Sequence, residues 1–196
     1  MYNKFASQPH QPYFTSGILF FIAFLFLLSA NYSGLIQINS TISEFHSYPM
    51  MHLIFIQFFL GFLFVVFPRF LTQAEVKIKT YMNIFFLFTL GGLIFILSLF
   101  LGKELNQIAI AILIAAGLVS FLTLLSIYKK SIVSNKHDAK WILIAFGFGL
   151  LSNVLFFIAT FGFPTLETFS IRVGFYLFLL ALIFTISQRM IPFFSS

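Results

Sequence analysis

One apolar segment carries most of the side chains that can do chemistry. Within FHSYPMMHLIFIQFFLGFLFVVFPRF (residues 45–70) stand His46, Met50, His52 and Gln57. His46, Met50, Gln57 and Gly61 follow one another at offsets of four, seven and four, which stacks them along one stripe of an α-helix. Imidazole and thioether are borderline-to-soft donors, suited to copper or haem iron. The stripe is small and polar where its surroundings are Phe, Leu and Ile, so it is expected to face the protein interior. His52 falls about 120° around a regular helix from His46. The two histidines are therefore not natural co-ligands, and the spacing reads His52 as a polar flank. Pro49 suits a first helical turn, where no N–H is needed. Taken alone, the stripe is also what a solvated interfacial histidine and a core-filling methionine would give.

The elements that carry this segment follow from composition. The 196 residues are 60% hydrophobic and 8% charged, with 32 phenylalanines; a water-facing exterior needs far more charge. A helix crosses the hydrocarbon in about 20 apolar residues, and the runs lack the alternation of an outer-membrane strand. The sequence therefore predicts an all-α, polytopic helical membrane protein forming a single transmembrane domain over residues 1–196. Six spans are expected, at Phe14–Gly34, Pro49–Phe67, Thr80–Leu101, Gln107–Tyr128, Trp141–Phe163 and Ser170–Ser187. The first run is read as an uncleaved span rather than a signal peptide, because it is long and only Lys4 precedes it. Absence of cysteine excludes disulfides, iron–sulfur clusters and thiolate zinc sites.

The net charge of +6 lies in loops, so it reads as an insertion signal and not as a nucleic-acid surface. Lys4, Arg69, Lys77, Lys79, Lys129, Lys130, Lys136, Lys140 and Arg189 share one side of the expected bundle, nine against Lys103 and Arg172 opposite. Positive-inside bias then places both termini in the cytoplasm. Glu44, Glu75, Glu104, Asp138 and Glu167 all fall in loops or at span ends, which argues against a proton-coupled transporter with a buried carboxylate. Gln57, Ser152 and Asn153 are expected to hydrogen-bond between helices, and Gly91, Gly92, Gly147 and Gly149 to permit close packing.

PHQPYF (residues 9–14), HSYPM…GFLFVVFPRF (residues 46–70) and RMIPFF (residues 189–194) together resemble the NnrS family of bacterial membrane proteins. The matching positions are His10, His46, Met50, Gly61, Pro68, Arg69, Arg189 and Pro192. Gln11 stands where the family commonly has arginine, and Phe70 where tryptophan is common. The resemblance implies haem and copper as cofactors, a role in nitric oxide metabolism or stress, and a place in the bacterial inner membrane. It makes His46 and Met50 the expected metal ligands, with His10 in a separate site. Arg69 and Arg189, on the side of His10, are candidates to pair with haem propionates or lipid phosphates. The partner for the second nitrogen of His46 is expected from Glu44 or a carbonyl near Ser47. The resemblance covers nearly all of this chain but about the N-terminal half of a typical member. It thus implies a homo-oligomer or a separately encoded second half. The competing reading is a cofactor-free permease or channel subunit for a small uncharged solute, and no reaction is assigned.

The charge asymmetry makes a direct prediction. Reporter fusions after Ser196 and within residues 36–44 should localise to opposite sides of the membrane; finding both on one side would rule out the six-span arrangement.

Overall fold

In hydrocarbon the backbone has to satisfy its own hydrogen bonds, and among the described residues it does so with helices and no strand. The computed structural model describes residues 5–38, 40–41 and 43–195. Six helices are long and apolar enough to cross a membrane. They are α1 (His10–Tyr32), α2 (Glu44–Phe70), α3 (Ile78–Leu101), α4 (Lys103–Lys130), α5 (His137–Ala159) and α6 (Pro164–Gln188). All six expected spans are present; most ends are shifted, while the third closes at Leu101 as expected. Helices begin in polar flanks that hydropathy alone leaves out, so α2 starts at Glu44 rather than Pro49 and α6 at Pro164 rather than Ser170. At two C-terminal ends a glycine turns the chain first: Gly34 (φ 76°) follows α1, and Gly162 (φ 110°) ends the run after α5.

Among the six, α2 is the central helix. About two-thirds of its most apolar window is buried, against one-third to one-half for the others. It packs on α1, α4 and α6, while α3 and α4 form a hairpin joined through Gly102 alone, and α5 lies between α4 and α6. At one end the helices are tied by hydroxyls. Tyr13 Oη donates to the Tyr81 carbonyl (2.9 Å), and Ser131 Oγ to that of Leu71 (2.9 Å).

Three stretches depart from the α-helix. Ser43–Ser47 at the start of α2, Met50–Phe55 within it, and Val173–Leu180 within α6 have π-helical turns. Their i→i+5 bonding turns the chain less per residue than a regular helix does, so face assignments at 100° per residue drift along α2.

The expected close approaches occur at three of the four glycines singled out above. A Cβ on Gly92 would lie 2.5 Å from Phe20 Cζ, on Gly91 2.9 Å from Leu113 Cδ2, and on Gly149 2.7 Å from Phe178 Cδ2. Gly147 is the exception, with nothing within 4 Å. Since the Phe178 ring is fully buried, it has no room to yield. Gly149→Ala should therefore lower stability by about 1–3 kcal/mol through overpacking. Gly147→Ala should be neutral or mildly stabilising, because alanine is the better helix former. Thermal unfolding of the two variants in detergent checks the contrast.

Candidate functional site

The two histidines of α2 face different sides of a surrounded helix. His46 and Met50, one turn apart, line a cleft of about 360 Å³ between α1, α2 and α6. Its other walls include Met51, Phe21, Leu25 and Phe175. Both His46 and Met50 are half-buried. Further along the same stripe, Ser16 of α1 donates a hydrogen bond to Gln57 Oε1, and Gly61 packs on Tyr13 and Phe14. The stripe read from the sequence thus runs along α1 for its whole length, and its upper half opens laterally between α1 and α6.

The reading of His52 as a flank is overturned, for it is 1% exposed. Its Nε2 lies 3.0 Å from Ser152 Oγ on α5, and Ser152 Oγ in turn donates to the Ser170 carbonyl of α6 (2.9 Å). Ser170 Oγ returns a bond to the Ser152 carbonyl (2.8 Å). A hydroxyl has one proton to donate, and Ser152 directs its own at the Ser170 carbonyl. This network assigns the His52 proton to Nε2 and the free lone pair to Nδ1.

Tyr48, one turn before His52, donates to Asn153 Oδ1 (2.8 Å) and stacks on Phe156 and Phe95, with centroids at 4.4 and 5.4 Å. The Phe178 ring lies parallel to that of His52, 6.1 Å away. Gly174, in the π-helical part of α6, makes room for this seam: a Cβ there would lie 2.6 Å from Ser152 Oγ and 3.1 Å from Met51 Sδ. The π-helical stretches of α2 and α6 thus meet at Met51 and Gly174, between the cleft and the seam.

The other expected positions lie elsewhere. His10 is exposed at the start of α1, its ring 6.0 Å from that of Phe14. Phe21 and Leu25, which line the cleft with His46, stand roughly 16–23 Å beyond His10 along α1 at 1.5 Å per residue, so the two histidines belong to separate places. Arg69 is exposed and ion-paired with Glu75 at 3.7 Å, a pair of small energetic weight at such exposure. No hydrogen bond or ion pair joins it to His10 among the described residues. The Arg189 side chain lies outside the described residues, as does that of Pro192. Glu44 accepts a bond from the Thr41 amide (3.3 Å).

As a metal site, the cleft offers one imidazole and the thioethers of Met50 and Met51. No group of three His, Asp or Glu side chains suited to a metal occurs among the described residues. Nitrogen with sulfur is a soft set, suited to copper, and the imidazole also suits haem iron. The cleft's volume stands at the lower end of ligand pockets. The residues fit a copper ion, or the edge of a larger cofactor reaching in from the lipid side.

The family described as NnrS protein matches residues 4–196. This chain belongs to the NnrS family. The match takes in essentially the whole chain rather than an N-terminal part of it. In this NnrS-family chain, the matching His46, Met50 and Gly61 all lie on the α1-facing stripe, whereas His52 lies off it. No curated protein and no solved structure matches the chain.

The His52 seam could have been suspected from the Ser152-Asn153 pair in mid-span and the one-turn spacing of Tyr48 and His52. Ser152→Ala would leave both His52 Nε2–H and the Ser170 carbonyl without their partner. It should cost about 1–3 kcal/mol, read as a lower thermal midpoint. Thr123→Ala, half-buried on α4 with its hydroxyl bonded to the Val119 carbonyl of the same helix, should stay within about 0.5 kcal/mol of the parent.

Proposed function

We propose that this multi-pass membrane protein binds copper or haem in the cleft between α1, α2 and α6, and that it acts in the bacterial response to nitric oxide or in its metabolism. The observation that carries the reading is the placement of His46, Met50 and Met51 on one cleft. Family membership supports it, since the family resemblance implies this cofactor chemistry. His46 supplies the nitrogen donor and Met50 the sulfur, with Met51 behind them at 3% exposure. A metal held there would supply an open position for a small diatomic ligand.

The chain's own residues contribute a dry wall. Phe21, Leu25, Phe55 and Phe175 border the metal donors and keep water from them. Three protein donors from one short stretch leave coordination positions free, which supports an assembly with a second copy or with a separately encoded partner. His10 and Arg69, far from the cleft, fit a second contact at the basic end with a propionate or a lipid phosphate. The excess of basic residues at that end supports its being cytoplasmic, in the inner membrane.

Purified protein loaded with Cu(I) or haem should show bound metal by elemental analysis and, for haem, a Soret band. His46→Ala should abolish or strongly shift the signal and Met50→Ala should weaken it. His52→Ala should leave the spectrum nearly intact while lowering the thermal midpoint. Loss of the spectrum in His52→Ala with retention in His46→Ala would overturn the assignment.

A further inference from the structure

A second cavity, of about 400 Å³, lies at the end of the bundle opposite the basic loops and shares no residue with the His46 cleft. Ser40, Glu44, Lys103, Asn106, Thr160 and Glu167 line it, with the last turn of α3. Thr41 holds the two carboxylates together. Its amide donates to Glu44 Oε2 (3.3 Å) and its hydroxyl to Glu167 Oε1 (2.9 Å). The lining thus joins the entries of α2, α4 and α6 to the exits of α3 and α5.

Glu44 and Glu167 sit in first helical turns, where a carboxylate answers the helix dipole. That placement explains the carboxylates but not the rest of the lining. Asn106 is 8% exposed, and its Oδ1 meets no donor. Ser40 Oγ is likewise buried without a partner. These are the two buried side-chain nitrogen or oxygen atoms among the described residues that lack a hydrogen-bond partner, and both residues line this cavity. A buried acceptor without a donor is costly unless something outside the protein answers it. The last turn of α3, Ser98–Leu101, also lines the cavity, at the negative end of that helix. Against this surplus of oxygen acceptors stands a single ammonium, that of Lys103.

We propose that this cavity binds a hard divalent cation of calcium type, through the carboxylates of Glu44 and Glu167 and the amide oxygen of Asn106, with Ser40 and water completing the shell. The donors are all oxygen and come from three different helices and the α1–α2 connection, an irregular set that suits the large and flexible coordination sphere of Ca²⁺ better than the strict octahedron of Mg²⁺. Bound there, the ion ties the α1–α2 connection to α4 and α6. Lys103 competes with it electrostatically and keeps the affinity in the modest range of extracellular calcium modules.

Calorimetric titration of the full chain in detergent with CaCl₂, after chelator treatment, tests the site. One saturable Ca²⁺ per chain is expected, with Kd on the order of 0.1–1 mM, and the thermal midpoint should rise with added Ca²⁺. Glu44→Gln with Glu167→Gln should weaken binding by at least about ten-fold, while Lys103→Gln and Asn106→Asp should tighten it several-fold. Circular dichroism verifies that each variant is folded, and the two tightening variants keep the test decisive if the double variant is not. Absence of saturable binding in the parent, unchanged affinity in the folded double variant, or no tightening in either of the other two would overturn the proposal. Equal binding of Mg²⁺ would overturn the choice of ion.

Discussion

A polar side chain inside the bilayer has no water to turn to, so each one on α2 has to find its partner on a neighbouring helix. Tyr48 finds Asn153, His52 finds Ser152, and Gln57 finds Ser16. Apolar burial alone holds helices together weakly in lipid, because lipid tails are as apolar as leucine. The polar matches therefore set which helix stands beside which. Ser152 has the widest reach, since one residue of α5 engages α2 through His52 and α6 through the reciprocal pair with Ser170. The glycines act with these bonds: Gly174 lets α6 approach Ser152, and Gly149 lets Phe178 fill the space beneath.

The two candidate sites stand in different relations to this seam. The His46 cleft lies beside it, on the α1 side of α2, and Met51 belongs to both because it touches the cleft and the approach of Gly174. The oxygen-lined cavity lies beyond one end, where helices start and stop and water can take part. The thioethers lie against the apolar body of the bundle and the carboxylates at its end. The separation follows from solvation, since a carboxylate is costly in lipid and a thioether is not.

Helix number, helical class and the α1-facing stripe were legible because they depend on apolar length and on regular spacing. Gln57, Ser152 and Asn153 were also read rightly as interhelical bonds. His52 was not, and the reason is geometric. Reading one polar stripe on α2 assumes a single interior face, with everything off the stripe turned outward. A central helix has no outward flank, and His52 points at α5 as firmly as Gln57 points at α1. The π-helical turns of Met50–Phe55 compound the difficulty, because no residue type announces them. Gly147 misled for a related reason: a glycine in a span can mark a contact, but only the neighbouring helix decides whether one is made. The cavity around Asn106 was out of reach of spacing, since its lining comes from chain segments more than a hundred residues apart.

The mouth of the His46 cleft has a consequence for supply. Its rim is Phe21, Leu25, Phe55 and Phe175, each exposed on the bundle's outer surface, where the surroundings are acyl chains. A molecule arriving there travels through oil, so its concentration at the imidazole follows its partition coefficient and not its level in the aqueous phase. Ions and sugars are turned away before they reach this mouth. An uncharged gas is enriched, and the membrane itself becomes the first filter of selectivity.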